Sequence, residues 1–294
     1  SLPEKKHPDP CFDRCFKAGN HLKKERKIKM KTLGKDAFSI NKDTVDLRYV
    51  EQIADTEQTT GYNNIDINYA KEKNIRVANV AGYSTDSVVQ HTFALGLYLI
   101  EKMNYYDNYV KSGEYAECPI FSHFSNVFHE LSGKTWGIVG LGTIGKGVAK
   151  IASDFGCKVI YYSASGKTQD VPYEREEFDE FLKKSDIISI HAPLNDKTNN
   201  LFNKEAFDKM KTSAVLLNLG RGPIVNDADL TEALEQGKIA AAGLDVLGKE
   251  PIEKDNPLLR IKDSTKLVIT PHVAWGTVEA RTRLMDEVYE NIAA

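Results

Sequence analysis

Cysteine is scarce: the 294 residues hold only Cys11, Cys15, Cys118 and Cys157, scattered along the chain. That excludes a disulfide-scaffold fold, and without a secretory signal the thiols are expected to stay reduced. The first residues, Ser1-Leu2-Pro3-Glu4-Lys5-Lys6-His7, contain no apolar stretch of the kind that directs export. No run approaches the ~18 uninterrupted apolar residues of a membrane span. Neither sign of charge dominates, since 39 Lys and Arg face 42 Asp and Glu for a net −3. Such a balance gives no general attraction to nucleic acid or to an anionic membrane. The expectation is a cytoplasmic protein with no nucleic-acid or membrane partner. No metal centre is expected either. His7, Cys11, Cys15 and His21 are separated by three, three and five residues, which does not match a zinc-finger arrangement.

What is present is a globular composition, 41% hydrophobic and 28% charged, in a chain long enough for about two domains at ~100–200 residues each. Residues 1–50 are locally basic, with 13 Lys and Arg against 7 Asp and Glu. They read as a solvated arm. In Ser87–Ile100 apolar residues cover most of a helical circumference, so a helix buried on several sides is predicted, against a core or another subunit. From residue 134 onward short apolar runs alternate with helical segments: Trp136–Val139, Val159–Tyr162, Ile187–Ile190, Val215–Leu219, Ala241–Val246 and Leu267–Thr270. Runs rich in Val and Ile without polar alternation are strands buried on both faces. The expected fold class is therefore α/β, a Rossmann-type doubly wound parallel sheet.

The first of these strands runs into Gly140-Leu141-Gly142-Thr143-Ile144-Gly145 and then a helix. A GxGxxG between strand and helix is a dinucleotide signature. Gly140 permits the tight turn, Gly142 lets backbone approach a pyrophosphate, and Gly145 lets helix pack on strand. The helix end then offers the amides of Thr143 and Ile144 to the diphosphate. The second strand ends at Ser163, about 20 residues on, where an acidic residue would bind the ribose of NAD and repel a 2′-phosphate. Ser163, with Ser165, Gly166 and Lys167 following, leaves both NAD and NADP open as cofactor.

Three charged groups fall at the ends of late strands, where ligands bind in such sheets. Arg221 lies in Asn218-Leu219-Gly220-Arg221-Gly222, Glu250 in Leu247-Gly248-Lys249-Glu250-Pro251, and His272 in Thr270-Pro271-His272-Val273-Ala274-Trp275. An arginine binds a carboxylate or carbonyl oxygen with paired donors. A histidine passes a proton near neutral pH, and a carboxylate beside it fixes its tautomer. Together these are the parts needed to reduce a 2-keto acid.

These motifs, with His191-Ala192-Pro193-Leu194, Leu244-Asp245-Val246 and the upstream segments Thr60–Asp66 and Asn79–Ser84, resemble the D-isomer-specific 2-hydroxyacid dehydrogenases. That family includes D-glycerate, D-lactate, phosphoglycerate and formate dehydrogenases. The resemblance implies that His272 donates the proton, Glu250 partners it, and Arg221 grips and polarises the substrate. It further places Thr143, Ile144, Ser163, Ala192, Pro193, Thr198, Leu219, Gly220 and Asp245 against the dinucleotide, with Asp245 on the nicotinamide carboxamide. Backbone amides around Thr60 and Gly61 would hold the substrate carboxylate. Trp275 either limits bulk beside the reacting carbon or simply packs.

By resemblance residues 1–84 begin a second, smaller, flavodoxin-like substrate domain, 85–276 form the dinucleotide-binding domain, and 277–294 supply a helix returning to the first. Residues 1–31 contain no opening strand, and residues 32–60 span barely one βαβ unit of ~30 residues. The substrate domain is thus expected to be incomplete in this sequence. Either part of it has been lost or the given sequence omits segments, and the second is the expectation. The small-molecule partner is expected to be a 2-keto or 2-hydroxy acid, with hydroxypyruvate and glycerate first, and the assembly a homodimer. A cofactor-sensing, corepressor-like binding protein with the same fold is the alternative.

Overall fold

Strands whose side chains are apolar on both faces need a layer on each side, and that requirement organises this chain. The computed structural model describes residues 67–73 and 79–293. Residues 1–84 with 276–294 form one unit and Thr85–Trp275 a second. In the first, the described elements are helices α1 (Ile67–Glu72) and α8 (Val278–Ala293), and Arg283 Nε donates to the Tyr83 carbonyl at 2.9 Å.

The second unit contains β1 (Thr135–Val139), β2 (Lys158–Tyr162), β3 (Glu174–Arg175), β4 (Ile187–Ile190), β5 (Val215–Asn218), β6 (Ala241–Leu244) and β7 (Leu267–Ile269). They form one sheet in the order β3-β2-β1-β4-β5-β6-β7, and every pairing is parallel. Six are the strands anticipated from apolar runs. The seventh, β3, has two residues, both charged, and carries no hydrophobic pattern.

All four residues of β4, β5 and β6 are buried. On one face Ile188, Ile190 and Leu216 pack with Phe181, Phe207 and Leu234 from α5 (Phe178–Lys184), α6 (Lys204–Lys209) and α7 (Asp227–Glu235). On the other, Trp136, Ile138 and Leu217 pack with α2 (Thr85–Ile100) and α4 (Thr143–Asp154). Each such fully buried large side chain stabilises by about 1.5–3 kcal/mol. Trp136 is wholly buried, and its indole N–H is satisfied by Ser189 Oγ at 2.9 Å. The anticipated helix 87–100 is α2, with Ser87, Val88, Val89, Thr92, Phe93, Leu95, Gly96 and Leu99 buried.

After α2 comes α3 (Met103–Lys111), followed by a segment through residue 131 with little regular structure. Parallel strands all end on the same edge of the sheet, so the loops after β1, β2, β4, β5, β6 and β7 share that edge. No helix among the described residues is long and apolar enough to cross a membrane.

Candidate active site

Gly140 takes φ +89, and a β-carbon there would lie 2.8 Å from the backbone of Ala192. At Gly145 a β-carbon would lie 2.3 Å from the Gly140 carbonyl oxygen. The corner is therefore sterically committed to glycine at both positions. Gly142, the residue capping α4, behaves differently: nothing lies within 4 Å of where its β-carbon would be. No side chain caps this helix end, so the first amides of a twelve-residue helix face that open side. A diphosphate fits this cradle, whose donors are backbone amides and whose wall lacks a side chain. The Gly140 N–H donates to the Tyr162 carbonyl at 3.1 Å, which sets the end of β2, and so Ser163, beside the corner.

The three charged residues follow β5, β6 and β7. His272 Nδ1 and Glu250 Oε2 are 2.7 Å apart, with side chains 30% and 36% exposed, so the pair is held yet reachable. Glu250 Oε1 accepts the Leu247 N–H at 2.8 Å. Partial burial is the largest influence on the Glu250 carboxyl and pushes its pKa up. The His272 bond, the Leu247 amide and the charges of His272 and Arg221 outweigh it and hold the group below the usual glutamate range. An ionised Glu250 requires the proton on His272 Nδ1, leaving Nε2 as the exchanging nitrogen. Arg221 is set by its own loop. Its Nη1 donates to the Gly220 carbonyl at 2.9 Å. Asn218 donates to the Arg221 carbonyl at 3.0 Å while accepting the Gly220 N–H at 3.1 Å.

His272 sits at φ +53, a left-handed conformation costly for a residue with a side chain, by about 1–3 kcal/mol. Its loop is held accordingly. The His272 N–H is shared between the carbonyls of Asp245 (2.8 Å) and Thr270 (2.9 Å). The Asp245 carboxylate is 2% exposed. It accepts from Thr270 Oγ1 at 2.6 Å, the Val273 N–H at 3.0 Å and the Ala274 N–H at 2.9 Å. From α2, the Ser87 hydroxyl donates to the Ala274 carbonyl at 2.5 Å, and His91 Nε2 lies 3.0 Å from Thr270 Oγ1. Since Thr270 gives its one proton to Asp245, its oxygen accepts and His91 Nε2 is protonated.

The structure thus places Arg221, Glu250, His272, Asp245, Leu219, Gly220 and Trp275 on loops of one sheet edge, with Gly140, Gly142, Thr143, Ile144 and Gly145 at the corner. Ala192 is 6% exposed and lies against both Gly140 and Gly220. Thr198 is 1% exposed, and its hydroxyl closes its own loop on Pro193 at 2.7 Å. Thr60, Gly61 and the cluster His7, Cys11, Cys15 and His21 lie outside the described residues. Sequence reasoning missed Asn218, Thr270, Ser87 and His91 as supports. Ser87 and His91 had a signal, as polar side chains on a largely apolar helix. It named His191, which follows β4, only within the His191-Ala192-Pro193-Leu194 motif and gave it no role of its own. Both its ring nitrogens are buried without a partner among the described residues, and burial lowers its pKa to about 3.

The D-isomer specific 2-hydroxyacid dehydrogenase NAD binding domain matches residues 93–274. The chain is 42% identical over 235 residues to a hydroxypyruvate reductase of Blautia hydrogenotrophica, covering 79% of this chain and 72% of that protein. It is similar to D-lactate dehydrogenase of Aquifex aeolicus complexed with NAD and lactic acid, with a TM-score of 0.73 and 32% identity over 81% of this chain and 74% of that one. An acyclic imino acid reductase in complex with NADPH and D-Arg gives a TM-score of 0.71 and 35% identity, over 80% and 73% of the two chains. With a glycine corner that fits a dinucleotide and a matching sequence over most of the sheet, the chain belongs to the D-isomer-specific 2-hydroxyacid dehydrogenase family.

Proposed function

We propose that Arg221, Glu250 and His272 serve an NAD- or NADP-dependent reduction of a small 2-keto acid to its D-2-hydroxy acid, with hydroxypyruvate and glycerate as the preferred pair. The observation carrying this reading is the 2.7 Å bond between His272 Nδ1 and Glu250 on an edge that also bears Arg221. The relatives support the substrate class, one being a hydroxypyruvate reductase and another a lactate dehydrogenase.

The residues that would hold the dinucleotide are the amides of Thr143 and Ile144 at the diphosphate and Ser163 and Lys167 toward the adenosine ribose. Ala192, Pro193, Leu219 and Gly220 line its path. Asp245 Oδ2, which accepts one N–H, keeps a lone pair for the carboxamide. The reduced nicotinamide, when bound, supplies the hydride to the keto carbon. Arg221 binds the substrate carboxylate and draws charge toward the carbonyl oxygen. His272, protonated at Nε2, gives its proton to that oxygen as it gains charge. Glu250 stabilises the imidazolium beforehand and keeps the tautomer afterwards. By resemblance Thr60 and Gly61 are assigned to the substrate carboxylate. Trp275 borders the reacting carbon.

A homodimer completes the proposal. Ile120, Phe121, Phe124 and Val127 are 60%, 92%, 77% and 71% exposed on a segment braced by Tyr105 to His123 (2.8 Å) and Tyr106 to the Asn126 carbonyl (2.5 Å). Apolar side chains presented on an ordered segment suit a self-complementary interface. Light scattering after chromatography tests it, and F121D with F124D should give a monomer.

The test of function is a panel of pyruvate, hydroxypyruvate and glyoxylate with NADH and with NADPH. Consumption of the reduced cofactor, fastest with hydroxypyruvate, is expected. Cofactor that binds without being consumed by any acid would instead favour a cofactor-sensing binding protein.

A further inference from the structure

Ser87 and His91 stand four positions apart on α2, one helical turn, so they share a face of that largely apolar helix. Thr92, the next polar residue, returns its hydroxyl to the Val88 carbonyl of its own helix at 2.8 Å. Ser87 and His91 instead reach 187 and 179 positions along the chain, to Ala274 and Thr270 on either side of His272. Ser87 grips backbone. His91 grips a side chain that itself holds the buried Asp245.

The bonds at His91 have a direction. The Asp245 carboxylate takes the single Thr270 proton at 2.6 Å, so Thr270 Oγ1 accepts from His91 and Nε2 carries a proton. With Nε2 bare, Thr270 would face two acceptors with one proton, and one of them would go without. A donor at His91 therefore commits the Thr270 proton to Asp245. Oδ1 is then filled by Thr270 and the Val273 N–H, while Oδ2 takes only the Ala274 N–H. Three donors thus fix the plane of this carboxylate and the direction of the lone pair left on Oδ2. Asp245 is 2% exposed, so water has little access to replace a lost partner. The ring itself lies 3.6 Å from Asp245 Oδ1 with its side chain 23% exposed.

We propose that His91 is a positioning residue for the nicotinamide end of the site, acting through Thr270 to aim Asp245 at the carboxamide and to keep the His272 loop in register. The proposal rests on the dehydrogenase reading for the place of Asp245 beside the nicotinamide.

The test is titration calorimetry of the intact protein with NADH and with ADP-ribose, which lacks the nicotinamide, beside turnover of hydroxypyruvate. Where the parent binds NADPH tighter, NADPH and 2′-phospho-ADP-ribose replace them. H91F should weaken the whole dinucleotide and lower kcat about tenfold each, with affinity for the truncated nucleotide held within twofold. H91Q, which keeps an N–H donor, should recover most of both losses. T270V should lose at least as much as H91F, and adding H91F to T270V should cost nothing further, because both cut one chain. Unchanged H91F, equal losses for the two nucleotides, no recovery in H91Q, or additive losses overturns the proposal and leaves keto-acid reduction standing. If H91F does not fold, H91A takes its place, and loss of fold in both overturns the proposal. The selective loss in a parent that reduces no keto acid supports the role of His91 and removes the catalytic reading. A parent that binds neither nucleotide overturns both.

Discussion

Ser87, near the start of α2, donates its hydroxyl to the carbonyl of Ala274, 187 positions later, at 2.5 Å. The loop it grips is the one that holds His272 in a left-handed conformation. Removing one buried hydrogen bond costs about 1 kcal/mol and leaves a carbonyl unpaired. S87A should lower kcat about three- to tenfold with little change in cofactor affinity. Stopped-flow turnover beside a nucleotide titration separates the two effects. An unchanged kcat would show that Asp245 and His91 suffice to hold the loop.

H272A should cost about 10²- to 10⁴-fold in turnover, the range for loss of a general acid. E250Q tests the partner in a second way. Because Glu250 is depressed in the folded protein, its carboxylate adds stability above the unfolded value near 4.5, and this is lost as pH falls through the folded value. E250Q should therefore slow turnover and also flatten the acid limb of the melting temperature below pH 4.5. A turnover loss without that flattening would place the role of Glu250 in geometry alone.

G145A should abolish dinucleotide binding and destabilise the fold, because the new methyl meets a carbonyl oxygen of the corner at 2.3 Å. Nucleotide calorimetry and thermal melts read both effects. G142A, with open space at its β-carbon, should melt like the parent while weakening the diphosphate. Equal melting of G145A and the parent would refute the close approach.

His191 predicts acid sensitivity of the opposite sign to a paired histidine. Burial lowers its pKa from 6.5 to about 3, so between these values the unfolded chain takes a proton that the folded chain does not. Stability should fall below pH 6.5 by up to about 1.4 kcal/mol for each pH unit. H191L should remove that slope, as urea titrations at pH 7, 6 and 5 would reveal. An unaltered slope would mean that the ring finds a proton acceptor on titration.

Much of this was legible in the sequence. The strands could be read because a two-sided sheet demands runs such as Ile187–Ile190, broken only by Ser189, and Val215–Leu217. The corner could be read because two of its glycines, Gly140 and Gly145, are sterically required and the third, Gly142, leaves the helix end open. What hydropathy does not encode is the support: β3 consists of Glu174 and Arg175, and Asn218 orders the Arg221 loop through a side-chain bond that no periodicity announces. The same holds for Thr198, which by resemblance belongs to the cofactor but whose hydroxyl is spent within its own turn. Spacing identifies which loops meet, and side-chain hydrogen bonds decide how each is held.

A sheet in which every strand points the same way has two rims with separate occupations. Chemistry gathers on the rim where strands end. The other rim, formed by turns at 132–134, 156–157, 185–186, 211–214, 237–240 and 263–266, is fastened by Asp186, which accepts the Thr135 N–H and the Lys211 ammonium at 2.8 Å each. Substitutions there alter how firmly the molecule stands without touching what it converts. Robustness and selectivity can therefore drift independently along a lineage, and a dye, tether or inserted peptide belongs on that far rim.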